Sequence, residues 1–361
     1  MQKMIFHHPL PLNPSATSAS GIRPLKMIKA FQKLGYEVAI LDGYGEERTL
    51  KIKLLKNRIS SGEKFEFVYS ESSTQPTLLT EKNHFPKYPF LDFNFFNFCR
   101  KNNIKIGLFY RDIYWLFPEY GKGLSIFKKN IAKLFYWYDI LKYKTLLDIV
   151  YLPSMNMSKY IPLIEQSKFK ALPPAHDRYS KITKSETLQE EINLLYIGGL
   201  GSHYQMHVLF DVLSKMPMFK FTLCTREEEW KNIKDEYKLS SNIVIVHKSG
   251  EELEKLYSKA DMAMLFVKPQ EYREFAAPVK LFEYIGYEKP IIASNGTLAG
   301  QFVKNEDIGW SCNYDEKSLI KLFEEIYRDK SIIFRKKEGI QQMKDAHTWE
   351  ARAKEVEKDL S

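Results

Sequence analysis

The 361-residue sequence predicts an α/β protein made of two doubly wound, Rossmann-like domains. Three observations carry that expectation. Short apolar runs of strand length recur along the chain, separated by segments of helical composition, which is the pattern of parallel sheets covered on both faces. A proline-rich polar stretch, KALPPAHDRYSK at 170–181, interrupts the pattern, which then restarts. The length suits two domains, each able to bury its own core. The expected boundaries are 1–172 and 173–340, with a terminal helical segment, 341–361, packing back toward the first domain.

In the first half, Met4–His8 reads as a strand, followed by the small-residue loop PLNPSATSASGIRP. A helix from about Pro24 to Leu34, closed by Gly35, leads to a second strand at Glu37–Leu41. Two more buried strands follow, at Ile104–Tyr110 and Ile149–Leu152, around an aromatic and lysine-rich helix at Leu124–Lys144. In the second half, Asn193–Ile197 ends in the loop Gly198-Gly199-Leu200-Gly201-Ser202, with a helix running on to Met216. Phe219–Cys224, Ile243–Val246, Met262–Val267 and Ile291–Ser294 continue a parallel set. The last segment places Trp349, Ala353 and Val356 on one helical face, as a helix packed against a body does.

Composition narrows the class. Apolar residues at 44% and aromatics at 14% fit a globular protein and exclude disorder. Cys99, Cys224 and Cys312 are too few and too dispersed for a disulfide framework or a thiolate zinc site, which points to a reducing cytoplasm. Met4-Ile5-Phe6 is too short for a signal-peptide core, and no apolar run approaches a membrane span. A formal charge of +9 favours anionic partners.

One block is chemically specific. Pro278 suits the first turn of a short helix that Gly286 closes, and this helix joins the strands at 262–267 and 291–294. Loops at the carboxyl ends of parallel strands hold ligands, and helix N-termini attract anions, so 268–277 is a candidate anion site. Glu283, one to two turns into that helix, can accept two hydrogen bonds from a vicinal diol, the signature of a ribose or sugar reader. Breaking a bond to a diphosphate needs the leaving group stabilised, and the amides of Phe275, Ala276 and Ala277 with Arg273 or Lys280 can supply this without a metal. Lys280 equally fits a solvated lysine. No Asp-x-Asp triplet occurs, so no metal is expected.

These residues resemble the GT-B-fold glycosyltransferases, in particular the family 4-like bacterial enzymes that build capsule or lipopolysaccharide glycans. The resemblance spans nearly the whole chain. It rests on Gly21, YRDIYW at 110–115, YLPS at 151–154, YIGGLGS at 196–202, PVKLFEYIGYEKPIIAS at 278–294 and TWEARA at 348–353. It implies two domains facing a cleft, with the second binding a nucleotide-diphosphate sugar and no cofactor. The acceptor implied is a glycan or a lipid-linked one. It also implies that Glu283 contacts the ribose. Many members carry two glutamates with seven residues between them, the first reading the donor sugar; here Glu274 and Glu283 have eight between them. The family commonly neutralises the diphosphate with an Arg and a Lys, where the loop after Ile197 offers Ser202 and His203, leaving Arg273 and Lys280 as the candidate cations.

The remaining candidates follow from position. Gly199 and Gly201 form the glycine loop, and Gly21 allows close backbone approach to the donor phosphates or serves only as a flexible loop residue. In HKSGEEL at 247–253, Lys248 and Ser249 lie where relatives hold the base, or Ser249 simply caps the next helix. Arg226 ends its strand on the same side, with an external salt bridge as the rival reading. Asp112 lies beyond a strand end, where it can act as general base or position an acceptor hydroxyl, unless it forms a structural corner with Arg111. Either His7 or His8 should point to that site, and His8 is taken with Arg111 and Asp112 as the catalytic set.

Segment 121–144 carries Lys122, Lys128, Lys129, Lys133, Lys142 and Lys144 against Asp139, interleaved with Phe127, Phe135, Tyr136 and Trp137. It reads either as a core-facing aromatic stripe with a solvated back or as a surface for the inner face of an anionic membrane. Rival classes are weaker. A nicotinamide Rossmann enzyme lacks its third glycine, which is Tyr204 here, and lacks the acid after the next strand. His203 and His207 have zincin spacing without the glutamate. A nonhydrolysing sugar-nucleotide epimerase shares the fold and remains an alternative. A basic nucleic-acid-binding protein is the non-enzyme alternative, but no RNA-binding aromatic motif is present and nucleic acid is not expected as a partner.

Overall fold

A computed structural model of the chain describes residues 1–16, 18–118, 120–179, 190–201 and 204–361. It divides into two compact units, Met1–Pro173 with Trp349–Ser361, and Pro174–Thr348.

The first unit runs β1 (Lys3–His7), α1 (Ala19–Lys33), β2 (Glu37–Leu41), α2 (Gly45–Ser60), β3 (Phe67–Glu71), α3 (Leu91–Lys101), β4 (Lys105–Phe109), α4 (Ile126–Leu146), β5 (Ile149–Leu152) and β6 (Phe169–Ala171). These six strands form one parallel sheet in the order β2-β1-β3-β4-β5-β6. The chain leaves β1 for β2 on one side and returns to β3 on the other, so the direction of winding reverses between β1 and β3. Crevices at the carboxyl ends of such a pair are the usual ligand sites of open α/β sheets.

Helix α1 starts five residues ahead of the expected Pro24. Pro24 is therefore an internal proline, and Gly21 lies in the first turn of a helix rather than in a loop. A proline this near the amino end removes only a bond to the carbonyl of Ser20, an exposed residue at the helix start, so the helix tolerates it. Gly21 is required by packing: a β-carbon there would lie 2.5 Å from Ala16 Cβ.

The second unit runs β7 (Ile192–Ile197), α5 (His207–Lys215), β8 (Phe219–Cys224), α6 (Glu227–Ile233), β9 (Ile243–Val246), α7 (Glu252–Lys259), β10 (Met262–Leu265), α8 (Val279–Gly286), β11 (Ile291–Ser294), α9 (Leu298–Asn305), β12 (Gly309–Cys312), α10 (Glu316–Arg328) and α11 (Ser331–Met343). Its parallel sheet has the order β12-β11-β10-β7-β8-β9, with the reversal between β7 and β10. Helices cover both faces, so the strands carry unbroken apolar runs such as Met262-Ala263-Met264-Leu265, all buried.

The last helix, α12 (Trp349–Leu360), belongs to the first unit. It buries Trp349, Ala353, Val356 and Leu360. Leu360 reaches β4 because residue 107 is glycine, where a β-carbon would come within 2.9 Å of it. Tyr36 donates to Glu357 at 2.8 Å, and Arg352 donates to the Pro173 carbonyl at 3.1 Å.

Candidate functional site

The reversal between β7 and β10 brings two loops together in the second unit. From β7 comes the glycine loop. Gly198 takes φ +149° and donates its amide to the Cys224 carbonyl at 2.9 Å, and Gly201 takes φ +139°. Tyr196, fully buried at the end of β7, donates its hydroxyl to the Gly199 carbonyl at 2.7 Å. From β10 comes the segment that turns at Glu271–Glu274 and enters α8 through Pro278.

That second segment carries two cations to the glycine loop. Lys280 Nζ donates to Tyr196 Oη at 2.5 Å and lies 4.0 Å from the Tyr204 ring centre. The Arg273 guanidinium, buried, sits 3.7 Å from the same ring. Lys280 forms no ion pair among the described residues, and its ammonium lies against ring faces and a hydroxyl. Burial first, then the neighbouring Arg273 charge, pull its ammonium down to about 7, against the opposing pull of Glu283 and Glu229. Tyr204, Arg273, Ala276, Pro278 and Thr297 line a small pocket here with Leu265 and Val267. Two adjacent cations at a strand-end loop and a helix start make a site for an anion of more than one charge.

Glu283, half-buried on α8, stands among tyrosines. Tyr179 and Tyr257 stack on the two sides of Tyr287, at 3.9 and 3.7 Å between ring centres. Burial first and the Glu283 charge second hold the Tyr179 and Tyr257 hydroxyls above their usual range. Tyr284, the next residue, accepts the Ile197 amide at 3.0 Å, which ties α8 to the end of β7 and fixes where Glu283 emerges.

The expected amide cradle is only partly present. The Phe275 and Ala276 amides both point back to the Tyr272 carbonyl, so neither is available to cradle an anion; of the three, Ala277 alone has an amide without a partner among the described residues. Ser249 is exposed and caps nothing: α7 begins at Glu252 with Glu251 at its cap. Lys248 is exposed and pairs with Glu252 at 2.6 Å, from the loop ahead of α7. Arg226 forms the rival salt bridge, to Glu229 at 2.6 Å. Glu274 is exposed at the end of its turn. Ser202 lies outside the described residues.

Glu229 itself was not anticipated. Its Oε2 accepts the Leu200 amide at 3.0 Å, and a β-carbon on Gly199 would stand 2.9 Å from that oxygen. Three consecutive glutamates, 227 to 229, open α6, and nothing in the sequence marks the third as the one turned to the glycine loop.

In the first unit the carboxyl ends of β1, β3 and β4 gather His8, Glu71, Ser72, Arg111 and Asp112. His8 Nδ1 lies 2.8 Å from the Leu10 carbonyl and 3.3 Å from the Leu10 amide; the shorter contact assigns the proton to Nδ1, with Nε2 then the acceptor. Burial lowers this imidazole to about 4, with the Arg111 charge contributing, so His8 is neutral near pH 7. Arg111 Nε donates to the Ser72 carbonyl at 3.3 Å, and its Nη2 reaches the fully buried Glu71 at 3.5 Å. Glu71 also faces Arg23 at 3.3 Å and accepts from Tyr69 at 3.0 Å. Asp112 accepts the Tyr114 amide at 2.5 Å, so one carboxylate oxygen shapes its own turn. His7 points the other way, into a buried set with Ser70 at 2.7 Å and Asp92 at 3.0 Å.

Helix α4 has apolar residues on both its inward and its outward face. Ala132, Tyr136, Asp139, Ile140 and Tyr143 face inward. Phe127, Leu134, Trp137 and Leu141, spaced by seven, three and four residues, are exposed, with Lys128 and Lys144 beside them. The outward side is not a plain polar surface. Among the described residues no helix is long and apolar enough to cross a membrane, and no group of three or more His, Cys, Asp or Glu side chains is placed to hold a metal ion.

Residues 178–347, nearly the whole second unit, match the family model of glycosyl transferases group 1. No curated protein matches the chain by sequence. Solved structures resemble it over their full length at low identity. Sucrose-phosphate synthase from Thermosynechococcus elongatus has a TM-score of 0.66 at 13% identity, with 99% of this chain and 98% of that one covered. HepE from Anabaena, solved in complex with UDP, has a TM-score of 0.67 at 12% identity, covering 100% and 99%. WaaG, a glycosyltransferase involved in lipopolysaccharide biosynthesis, has a TM-score of 0.59 at 10% identity, covering 99% and 100%. The likeness establishes the fold class: two Rossmann-like units, each with a parallel six-stranded sheet, as in GT-B proteins.

Proposed function

We propose, from the premise that this chain is a GT-B glycosyltransferase whose second unit is a group 1 domain, that it moves a sugar from a nucleoside-diphosphate sugar to a glycan or lipid-linked acceptor in building a bacterial surface polysaccharide. The observation that carries this reading is the pair Lys280 and Arg273, packed on the Tyr204 ring beside the glycine loop. The diphosphate lies against them, and Lys280 donates to it as the glycosidic bond breaks, which stabilises the developing charge without a metal. Glu283 accepts hydrogen bonds from the ribose hydroxyls. The structures of HepE with UDP and with UDP-glucose support a uridine nucleotide as the first donor to test.

The acceptor belongs to the first unit. His8, through Nε2, or Asp112 receives the hydrogen bond of an incoming hydroxyl, and Arg111 orients it. The exposed apolar stripe of α4, with its lysines, fits an anionic membrane surface, where a lipid-linked acceptor would be found. The role of WaaG in lipopolysaccharide synthesis supports a surface glycan as product.

The experiment is a calorimetric titration with UDP, GDP and ADP and their common sugar conjugates. The best ligand should bind the wild-type protein, and Glu283→Ala should weaken it by roughly 1.5–3 kcal/mol, the worth of hydrogen bonds to a charged group. Unchanged affinity in a folded Glu283→Ala protein removes Glu283 from the donor site. Absence of binding by every nucleotide removes the reading.

A further inference from the structure

The glycine loop already holds an oxyanion. Glu229 turns from the first turn of α6 to the loop, where Oε2 accepts the Leu200 amide at 3.0 Å. Lys280 stands against Gly198 of the same loop, without an ion pair of its own among the described residues. Its ammonium feels the Glu229 charge. An amide donor flanked by a cation does not distinguish a carboxylate oxygen from a phosphate oxygen, because both are anionic acceptors of similar reach. It cannot hold both, since two like charges at contact repel.

We propose that Glu229 is a displaceable occupant of the donor site, holding the Leu200 amide that a donor phosphate oxygen takes when the nucleotide binds. This rests on the donor reading above. The geometry also supplies a place for the displaced group: Glu229 Oε1 already pairs with Arg226 Nη1 at 2.6 Å, and the Arg226 side chain is 68% exposed. Rotation of one side chain toward solvent keeps that pair and clears the loop. Only a ligand whose phosphate reaches the amide displaces the carboxylate, so the contact screens out nucleosides and closes the loop when the site is empty.

Calorimetry on the full-length protein decides it, with UDP, GDP and ADP each alone and with uridine as a ligand without phosphate. Glu229→Gln keeps an oxygen acceptor for Leu200 and removes the charge; Glu229→Ala removes both, and melting curves check that each variant folds. Both should bind the preferred nucleoside diphosphate about tenfold tighter than wild type, since removal of a like charge from the site favours the anion. Uridine binding should not change. Equal or weaker diphosphate binding by Glu229→Gln would show that the carboxylate only shapes the loop, leaving the donor reading intact. If wild type binds none of the three diphosphates, the donor reading itself fails and this proposal goes with it.

Discussion

Lys280 lies across Gly198: a β-carbon built on residue 198 would come within 2.1 Å of the lysine Nζ. The glycine is needed twice, since its φ of +149° is also one that side chains rarely adopt. Gly198→Ala should therefore expel Lys280 from its seat on Tyr196 and Tyr204. Backbone strain of about 1–3 kcal/mol falls on the same loop. The expected outcome is at least tenfold weaker binding of the nucleoside diphosphate with a fold that still melts cooperatively, measured by calorimetry alongside Lys280→Met, which should lose a similar amount.

Titration of Lys280 gives a sign that a surface lysine would not. In the free protein its ammonium is lowered from 10.5 to about 7 by burial and by Arg273, with Glu283 and Glu229 opposing. A diphosphate beside it favours the charged form and raises the value again. Donor binding should therefore take up a proton near pH 8, and affinity should fall as pH rises above 7. The folded state alone behaves in the opposite sense. The unfolded lysine keeps its proton up to about 10.5 while the folded one sheds it near 7, so stability should rise with pH across that window. Calorimetry in buffers of different ionisation enthalpy measures the first effect, and urea melts from pH 7 to 10 measure the second. Lys280→Met should remove both.

The residues behind these effects differed in how legible they were. Strand-length apolar runs, a proline at a helix start and a glycine at its end marked β10, α8 and β11, because burial on both faces forces that composition and termini force those residues. Lys280 and Arg273 could be named from position but not paired, since the ring of Tyr204 that joins them is seven residues beyond the end of β7. Glu71 was missed outright. Its strand, β3, carries Tyr, Ser and Glu within five residues, and these polar groups are buried because Arg23 and Arg111 arrive from other elements to meet Tyr69 and Glu71 while His7 meets Ser70. Periodicity reports burial of apolar surface, and it is silent on polar groups satisfied at long range.

Glu71 should be a stability residue of the first unit. It is fully buried between two arginines, and Arg23 also lies 3.6 Å from the Phe109 ring centre. Glu71→Gln leaves both guanidinium groups facing each other without the intervening charge, and loss of one partner from a buried ionic set costs about 3–5 kcal/mol. Urea unfolding should show a midpoint shift of that size. If Arg23→Met is added, the double variant should recover part of the loss, since one of the two repelling cations is gone; a strictly additive double variant would break the link between the three residues.

The outer stripe of α4 makes the membrane reading testable without disturbing the core. Phe127 is 74% exposed, Leu134 64% and Leu141 51%, so changing them removes little internal packing. The inward residues Tyr136, Ile140 and Tyr143 are separate from them. Wild-type protein should sediment with vesicles containing phosphatidylglycerol and far less with neutral phosphatidylcholine, since each lysine near an anionic surface contributes about 1 kcal/mol and is screened by salt. Leu134→Glu with Leu141→Glu should abolish sedimentation at an unchanged melting temperature. It should also leave nucleotide binding in the second unit untouched. Equal sedimentation of wild type and the double variant would assign the stripe to another partner, and failure of wild type to bind anionic vesicles would remove the membrane from the proposed function while the donor site stands.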